Sequence, residues 1–254
     1  MPKKKLVTYL SYTLSIITLM LIISFSERKL DEQMIDEINI DIRQSDNGTY
    51  ITKVDVVDML NAYYPPTLEG NTLKQVEIEK LDSLVESSPF IKSSKTYSNV
   101  TGELFIDIDQ QFPLIRIINS LDESFYLTRD GLKMPLSRRY AARVPVATGS
   151  IDEKPHPIDS FTDTKTADLL AIAQYLDKHA FFKALTGQLF VDGNGDIVLI
   201  TKAEERHDII LGDATNLEEK FENLLQFYTK VLPIKGWDTY STINLKFRNQ
   251  IVAK

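Results

Sequence analysis

Asp192, Asn194 and Asp196 stand at alternate positions in Asp192-Gly193-Asn194-Gly195-Asp196. This is the spacing with which a calcium loop opens, because oxygens from alternate side chains can converge on one hard cation. The rest of that loop is missing: its sixth position, a glycine in a working loop, is Ile197, and its twelfth, an acidic ligand, is Ala203. A hairpin turn between Leu189-Phe190-Val191 and Ile197-Val198-Leu199-Ile200 uses the same residues, so the segment is assigned as a turn and no metal is expected. The only imidazoles are His156 between two prolines, His179 near a helix end and His207 in a charged stretch, and none lies in an HExxH or GxSxG context. Asp107 and Asp109 offer paired carboxylates for acid–base work, yet they alternate with Ile106 and Ile108 as the solvated face of a strand does. Asn47-Gly48-Thr49 and Asn99-Val100-Thr101 fit the glycosylation pattern, but asparagine and glycine at these places serve turns. The single tryptophan, Trp237, follows Pro233 and Gly236 and is read as a buried packing residue. Cysteine is absent, which removes disulfides and thiolate metal sites. No catalytic, cofactor-binding or metal residue is assigned, and neither an enzymatic activity nor a small-molecule ligand is expected.

The elements that position everything else begin with Leu6 to Phe25, twenty residues without a charge, directly after Lys3-Lys4-Lys5. A helix of that length is about 30 Å long, the thickness of a bilayer's hydrocarbon core. It exceeds an ordinary secretory-signal core, and Ser24-Phe25-Ser26 is a poor cleavage site, so an uncleaved single-pass anchor is predicted. The preceding lysines place residues 1–5 in the cytoplasm and the remainder outside. Three of the 29 basic residues precede the span while all 36 acidic residues follow it. Such a body lacks the basic footprint of nucleic-acid binding.

The body is predicted to hold two modules of an α+β fold. Ile38, Ile40 and Ile42 alternate with Asn39 and Asp41 as a half-buried strand, and Asp46-Asn47-Gly48 supplies a turn. Thr52 and Asp55 form a capping-box pattern ahead of a helix with Val54, Val57 and Leu60 on one face, which Pro65-Pro66 stops. Ile78, Leu81, Leu84 and Val85 share a face of a second helix ended by Ser87-Ser88-Pro89. Phe90 to Tyr97 and Glu103 to Gln111 then read as two strands, with Leu81, Leu84, Leu104, Ile106 and Ile108 as the expected core. Further on, Thr166 to His179 reads as a helix through Ala167, Leu169, Leu170, Ile172, Ala173 and Leu176.

The order β-α-α-β-β after a membrane anchor resembles the POTRA (polypeptide-transport-associated) domain. Ser88-Pro89-Phe90-Ile91, Asp109-Gln110-Gln111-Phe112-Pro113, Tyr126 with the turn Asp130-Gly131, Met134-Pro135-Leu136, and Val144-Pro145-Val146 with Gly149 together resemble the FtsQ/DivIB cell-division family in its Bacteroidota-like form. Ile209-Ile210-Leu211-Gly212 resembles a family strand, Leu217 to Leu232 its late helix, and Tyr240 to Asn249 its final paired strand. The resemblance covers about residues 35 to 252 and fades over Ser150 to Lys183 and Thr201 to His207.

This resemblance implies a cytoplasmic tail over 1–5, a transmembrane helix over 6–25, a POTRA-like domain over 35–112 and a mixed β-rich domain with helices over 113–254. It implies a non-enzymatic scaffold of the divisome, anchored in the inner membrane with a periplasmic body at the septum. There it would join FtsB/FtsL-like membrane proteins and so control septal peptidoglycan synthesis. The partner site it implies lies on the strand Thr242 to Arg248, with Ile243, Leu245 and Phe247 on one face and Asn244, Lys246 and Arg248 on the other. Two other classes fit an anchored body: a cell-wall enzyme, which lacks a convincing nucleophile, acid pair or metal set, and a POTRA module for polypeptide transport, which lacks a barrel-like strand series.

Overall fold

The computed structural model describes residues 11–21, 33–43, 48–99, 101–156, 163–202, 207–248 and 250–254. Among the described residues no helix is long and apolar enough to cross a membrane. The expected anchor Leu6–Phe25 lies partly outside them, and its described part, α1 (residues 11–21), is helical with every side chain exposed. Asp46, Asn47 and Val100 also lie outside the described residues. Two compact units account for the rest, one of Met1–Gln44 with Ile51–Gln110, the other of Ser45–Tyr50 with Gln111–Lys254. The described residues 48–50 thus belong to the second unit although they interrupt the first.

In the first unit β1 (Glu37–Arg43), β2 (Ile91–Ser98) and β3 (Glu103–Gln110) form a sheet of order β1-β3-β2. β1 runs parallel to β3, and β2 antiparallel to it. Helix α2 (Lys53–Tyr63) starts at the Thr52/Asp55 capping box, which is formed reciprocally. A second capping box, Thr72 with Gln75, opens a short helix α3 (Leu73–Val76) that the sequence reading lacks, and Glu77 in the left-handed region turns the chain into α4 (Ile78–Glu86). The buried pair on α2 is Val56 and Leu60, one turn apart, while Val54 is 64% exposed, so the face expected at Val54 is rotated. On α4, Leu81 and Val85 are buried and Leu84 packs at the margin. Leu104, Ile106 and Ile108 are buried opposite them, leaving Asp107 on the solvent face and Asp109 paired with Arg43 at 2.9 Å. Asp82 of α4 accepts bonds from Ser94 Oγ at 3.1 Å and Thr96 Oγ1 at 2.7 Å, fixing helix to edge strand.

The second unit is built on a nine-stranded sheet. In chain order its strands are β4 (Pro113–Ile118), β5 (Ser124–Thr128), β6 (Lys133–Met134), β7 (Val146–Gly149), β8 (Thr186–Val191), β9 (Ile197–Thr201), β10 (Asp208–Gly212), β11 (Thr242–Asn244) and β12 (Val252–Ala253). Their spatial order is β12-β11-β10-β9-β8-β7-β4-β5-β6. Helices α5 (Thr164–Lys178), α6 (Ala180–Leu185) and α7 (Leu217–Gln226) bring Leu169, Ile172, Leu176, Phe182, Phe221 and Leu224 onto the core formed with Ile117, Leu189, Leu199, Ile209 and Ile243. Beyond α7 the helix continues through a π turn (Phe227–Val231) into α8 (Leu232–Lys235). Near β6 a buried ion pair joins Lys133 to Glu153 at 2.6 Å, with side chains 1% and 3% exposed. Glu153 Oε2 also accepts the Asp163 N–H at 2.9 Å, and Asp163 in turn caps α5.

Candidate partner-binding surface

At the β12 end of the sheet the chain returns on itself. β11 pairs in parallel with β10, Ile209 opposite Ile243, and antiparallel with β12, Ile243 opposite Ala253. Thr242 and Lys254 exchange both main-chain bonds, N–H to O at 3.1 and 3.0 Å. Antiparallel alternation therefore turns the N–H and C=O of the next residue, Ala253, to the open side of the sheet. The strand expected over Thr242 to Arg248 is shorter: pairing covers Thr242–Asn244, Leu245 still gives its N–H to Ile210 O at 2.9 Å, and the chain then leaves the sheet. The cause is local, because Asn244 Oδ1 accepts the Lys246 N–H at 3.0 Å and a side-chain turn displaces the ladder.

This turn divides the six residues read as partner-binding. Ile243 and Leu245 are 0% and 3% exposed and belong to the core. Asn244 is half-buried, while Lys246, Phe247 and Arg248 face solvent, Phe247 at 53% exposure. Leu245 to Arg248 wall a shallow open cleft against Thr215, Asn216, Glu219, Lys220 and Asn223 at the start of α7. Below it Asp213 accepts from the Thr215 hydroxyl at 2.6 Å and from Lys220 Nζ at 3.0 Å, and these bonds hold its carboxyl well below the usual carboxylate range. Lys246 reaches Asp196 at 2.6 Å, tying the cleft to the β8–β9 hairpin. In that hairpin Asp192 Oδ1 accepts the N–H groups of Asp196 and Asn194 at 2.9 and 2.8 Å; the Asp196 amide above all keeps the Asp192 carboxyl low. The calcium-like spacing thus serves a turn, and among the described residues no group of His, Cys, Asp and Glu is arranged to hold a metal.

One sequence reading, that of Trp237, is corrected here, and His207, read only as lying in a charged stretch, is 0% exposed. Its Nε2 lies 3.0 Å from the Trp237 carbonyl and its Nδ1 2.8 Å from Tyr228 Oη. A carbonyl only accepts, so Nε2 carries the hydrogen and Nδ1 accepts from the phenol. Burial pushes Tyr228 up to about 12, which keeps that phenol a donor. Trp237, read as buried, is 45% exposed and meets Tyr228 edge-on, with ring centroids 6.0 Å apart. The hydrophilic neighbours of His207 disguised its burial in the sequence; its ring pins the loop that enters β11. Of the other histidines, His179 stacks on Tyr175 with ring centroids 4.2 Å apart, and His156 is exposed.

Residues 112–254 match the family described as FtsQ/DivIB, C-terminal related, and residues 33–109 match the POTRA-like domain. The chain is also similar to a protein of Rhodothermus marinus named cell division protein FtsQ, with 24% identity over 188 residues that cover 73% of this chain and 68% of that relative.

Proposed function

The chain belongs to the FtsQ/DivIB family of cell-division proteins, and from that membership we propose that it is a non-enzymatic divisome scaffold whose β12 edge captures a partner segment. In this reading Leu6–Phe25 anchors it in the inner membrane, residues 35–112 form the POTRA-like domain and 113–254 the β domain, and the body works in the periplasm at the septum. Its partners are FtsB/FtsL-like membrane proteins, and its effect is on septal peptidoglycan synthesis. Thr18 supports the anchor, since its hydroxyl bonds Leu14 O at 2.9 Å and needs no water inside lipid.

The observation that carries the reading is the open side of β12, where Ala253 turns its main-chain groups outward, together with the exposed Lys246, Phe247 and Arg248 that follow β11. An added strand would take its affinity from main-chain bonds and its selectivity from these side chains. Capture of a partner's extracytoplasmic segment by the full chain tests this. Ala253→Pro removes an outward N–H and Phe247→Glu removes the apolar anchor, and each should weaken capture at least about tenfold, the equivalent of about 1.4 kcal/mol. Undiminished capture by both variants, shown to be folded by circular dichroism, would remove this edge from the interface.

A further inference from the structure

From Gly131 to Ile151 the sequence carries Lys133, Arg138, Arg139 and Arg143 and no acidic residue, in a chain of net charge −7. Lys133 is buried on Glu153, but the three arginines are exposed on the connection between β6 and β7. That connection is held at several points. The Tyr140 ring meets Tyr50 edge-on, with centroids 5.4 Å apart, and fills the space a Cβ on Gly48 would need, 2.2 Å away. Ala142 gives its N–H to Tyr126 Oη at 3.1 Å, and Arg116 gives its N–H to Pro145 O at 2.9 Å. Neither Arg138 nor Arg143 has an ion-pair partner among the described residues. Two leucines adjoin them in sequence, Leu132 at 37% and Leu136 at 38% exposure.

We propose that this connection is a second docking surface, for an acidic extended segment of a partner protein whose carboxylates meet Arg138 and Arg143 and whose apolar side chains meet Leu132 and Leu136. A guanidinium presents a fixed fork that suits a carboxylate, and a pinned loop loses little freedom when it is engaged. Strand addition is not the mode. β6 has two residues, and Pro135, which follows it, lacks an N–H. A bilayer is a poorer fit than a polypeptide, because leucines little more than one-third exposed lie flush and offer no wedge. The five-residue step from Arg138 to Arg143 spans at most about 18 Å, so an extended partner needs acidic residues within about five or six positions of each other.

The test uses the full chain in detergent micelles and a labelled peptide of glutamate, leucine and serine, beside its counterpart with lysine for glutamate. Fluorescence anisotropy should show binding of the glutamate peptide only, weakening as salt rises. Arg138→Glu with Arg143→Glu should cut that binding at least about tenfold, and Arg138→Gln with Arg143→Gln somewhat less. Both pairs should melt with the parent; if the reversal pair melts early, the glutamine pair decides. Equal binding of the two peptides, or undiminished binding by the glutamine pair, overturns the proposal. So does competition by phosphatidylglycerol vesicles that the same arginine variants relieve, which would assign the surface to lipid.

Discussion

The two ends of the nine-stranded sheet solve the same edge problem in opposite ways. At β6 the edge is short, Pro135 follows it, and the side chain of Lys133 turns inward onto Glu153. At β12 the edge is also short, but Ala253 leaves main-chain groups open there, and the segment that follows β11 walls a cleft and exposes Phe247 and Arg248. A row of unpaired main-chain groups invites association, so an edge must be either blunted or used. The buried Lys133–Glu153 pair at the β6 edge should therefore matter chiefly for stability, and the main chain at the β12 edge chiefly for capture.

The largest expected effect is at the blunted edge. Removing one member of a buried ion pair leaves the other charged and unpaired, at about 3–5 kcal/mol. Glu153→Ala should lower the melting temperature sharply without altering partner capture by the protein that remains folded. Lys133→Met with Glu153→Leu, which removes both charges, should recover much of the loss. Equal destabilisation by the single and double variants would show that packing, not charge, closes this edge.

A reference that involves neither edge comes from the first unit. Leu81 and Ile106 are both 0% exposed, and truncation to alanine costs about 2–5 kcal/mol at such sites. Thermal unfolding of Leu81→Ala and Ile106→Ala sets the scale for a pure core loss; melting like the parent would mean the core has been placed on the wrong face.

How much of this was legible in the sequence follows from how far apart the partners lie. In the first unit the signals are local: Ile38, Ile40 and Ile42 alternate, Thr52 and Asp55 announce a helix, and Leu104, Ile106 and Ile108 declare their face. Val54, Val57 and Leu60 fit a three-residue spacing and Val56 with Leu60 a four-residue one, and only the position of the sheet decides between these overlapping faces. The candidate surface was less legible. Ile243, Leu245 and Phe247 alternate like one strand, but the Asn244 side chain takes the Lys246 N–H and turns Phe247 out. Likewise nothing in the charged stretch around His207 announces its burial, because its partners, Tyr228 and Trp237, come from later in the chain. Short strands whose pairing is set by distant residues carry little periodicity of their own.

A smaller effect, with a distinctive pH signature, is expected beneath the cleft. The Thr215 hydroxyl and Lys220 hold the Asp213 carboxyl below its ordinary value. A carboxyl depressed in the folded state contributes stability that is fully present above its unfolded value, about 3.9, and is lost as pH falls through the lower folded value. Asp213→Asn should therefore melt below the parent near neutrality, and the gap should narrow progressively under about pH 4. A gap that stays constant down to acid pH would assign the effect to shape rather than to charge.

The smallest effect separates the two uses of an edge most cleanly. Lys246 and Asp196 form an ion pair with side chains 40% and 25% exposed, so solvent screens it and the expected stability change for Lys246→Ala is about 0.2–1 kcal/mol. The substitution keeps the main chain, and the Lys246 N–H can still reach Asn244 Oδ1. Lys246→Pro removes that N–H and breaks the turn, so it reports on how Phe247 is presented rather than on an outward edge bond. If the β12 edge is used as proposed, Lys246→Ala should melt and capture nearly like the parent, whereas Lys246→Pro should weaken capture while the body remains folded by circular dichroism. Should Lys246→Ala alone lose capture as fully as Ala253→Pro does, the partner is held by that cation rather than by the strand edge, and the contrast between the two ends of the sheet would reduce to a difference in charge.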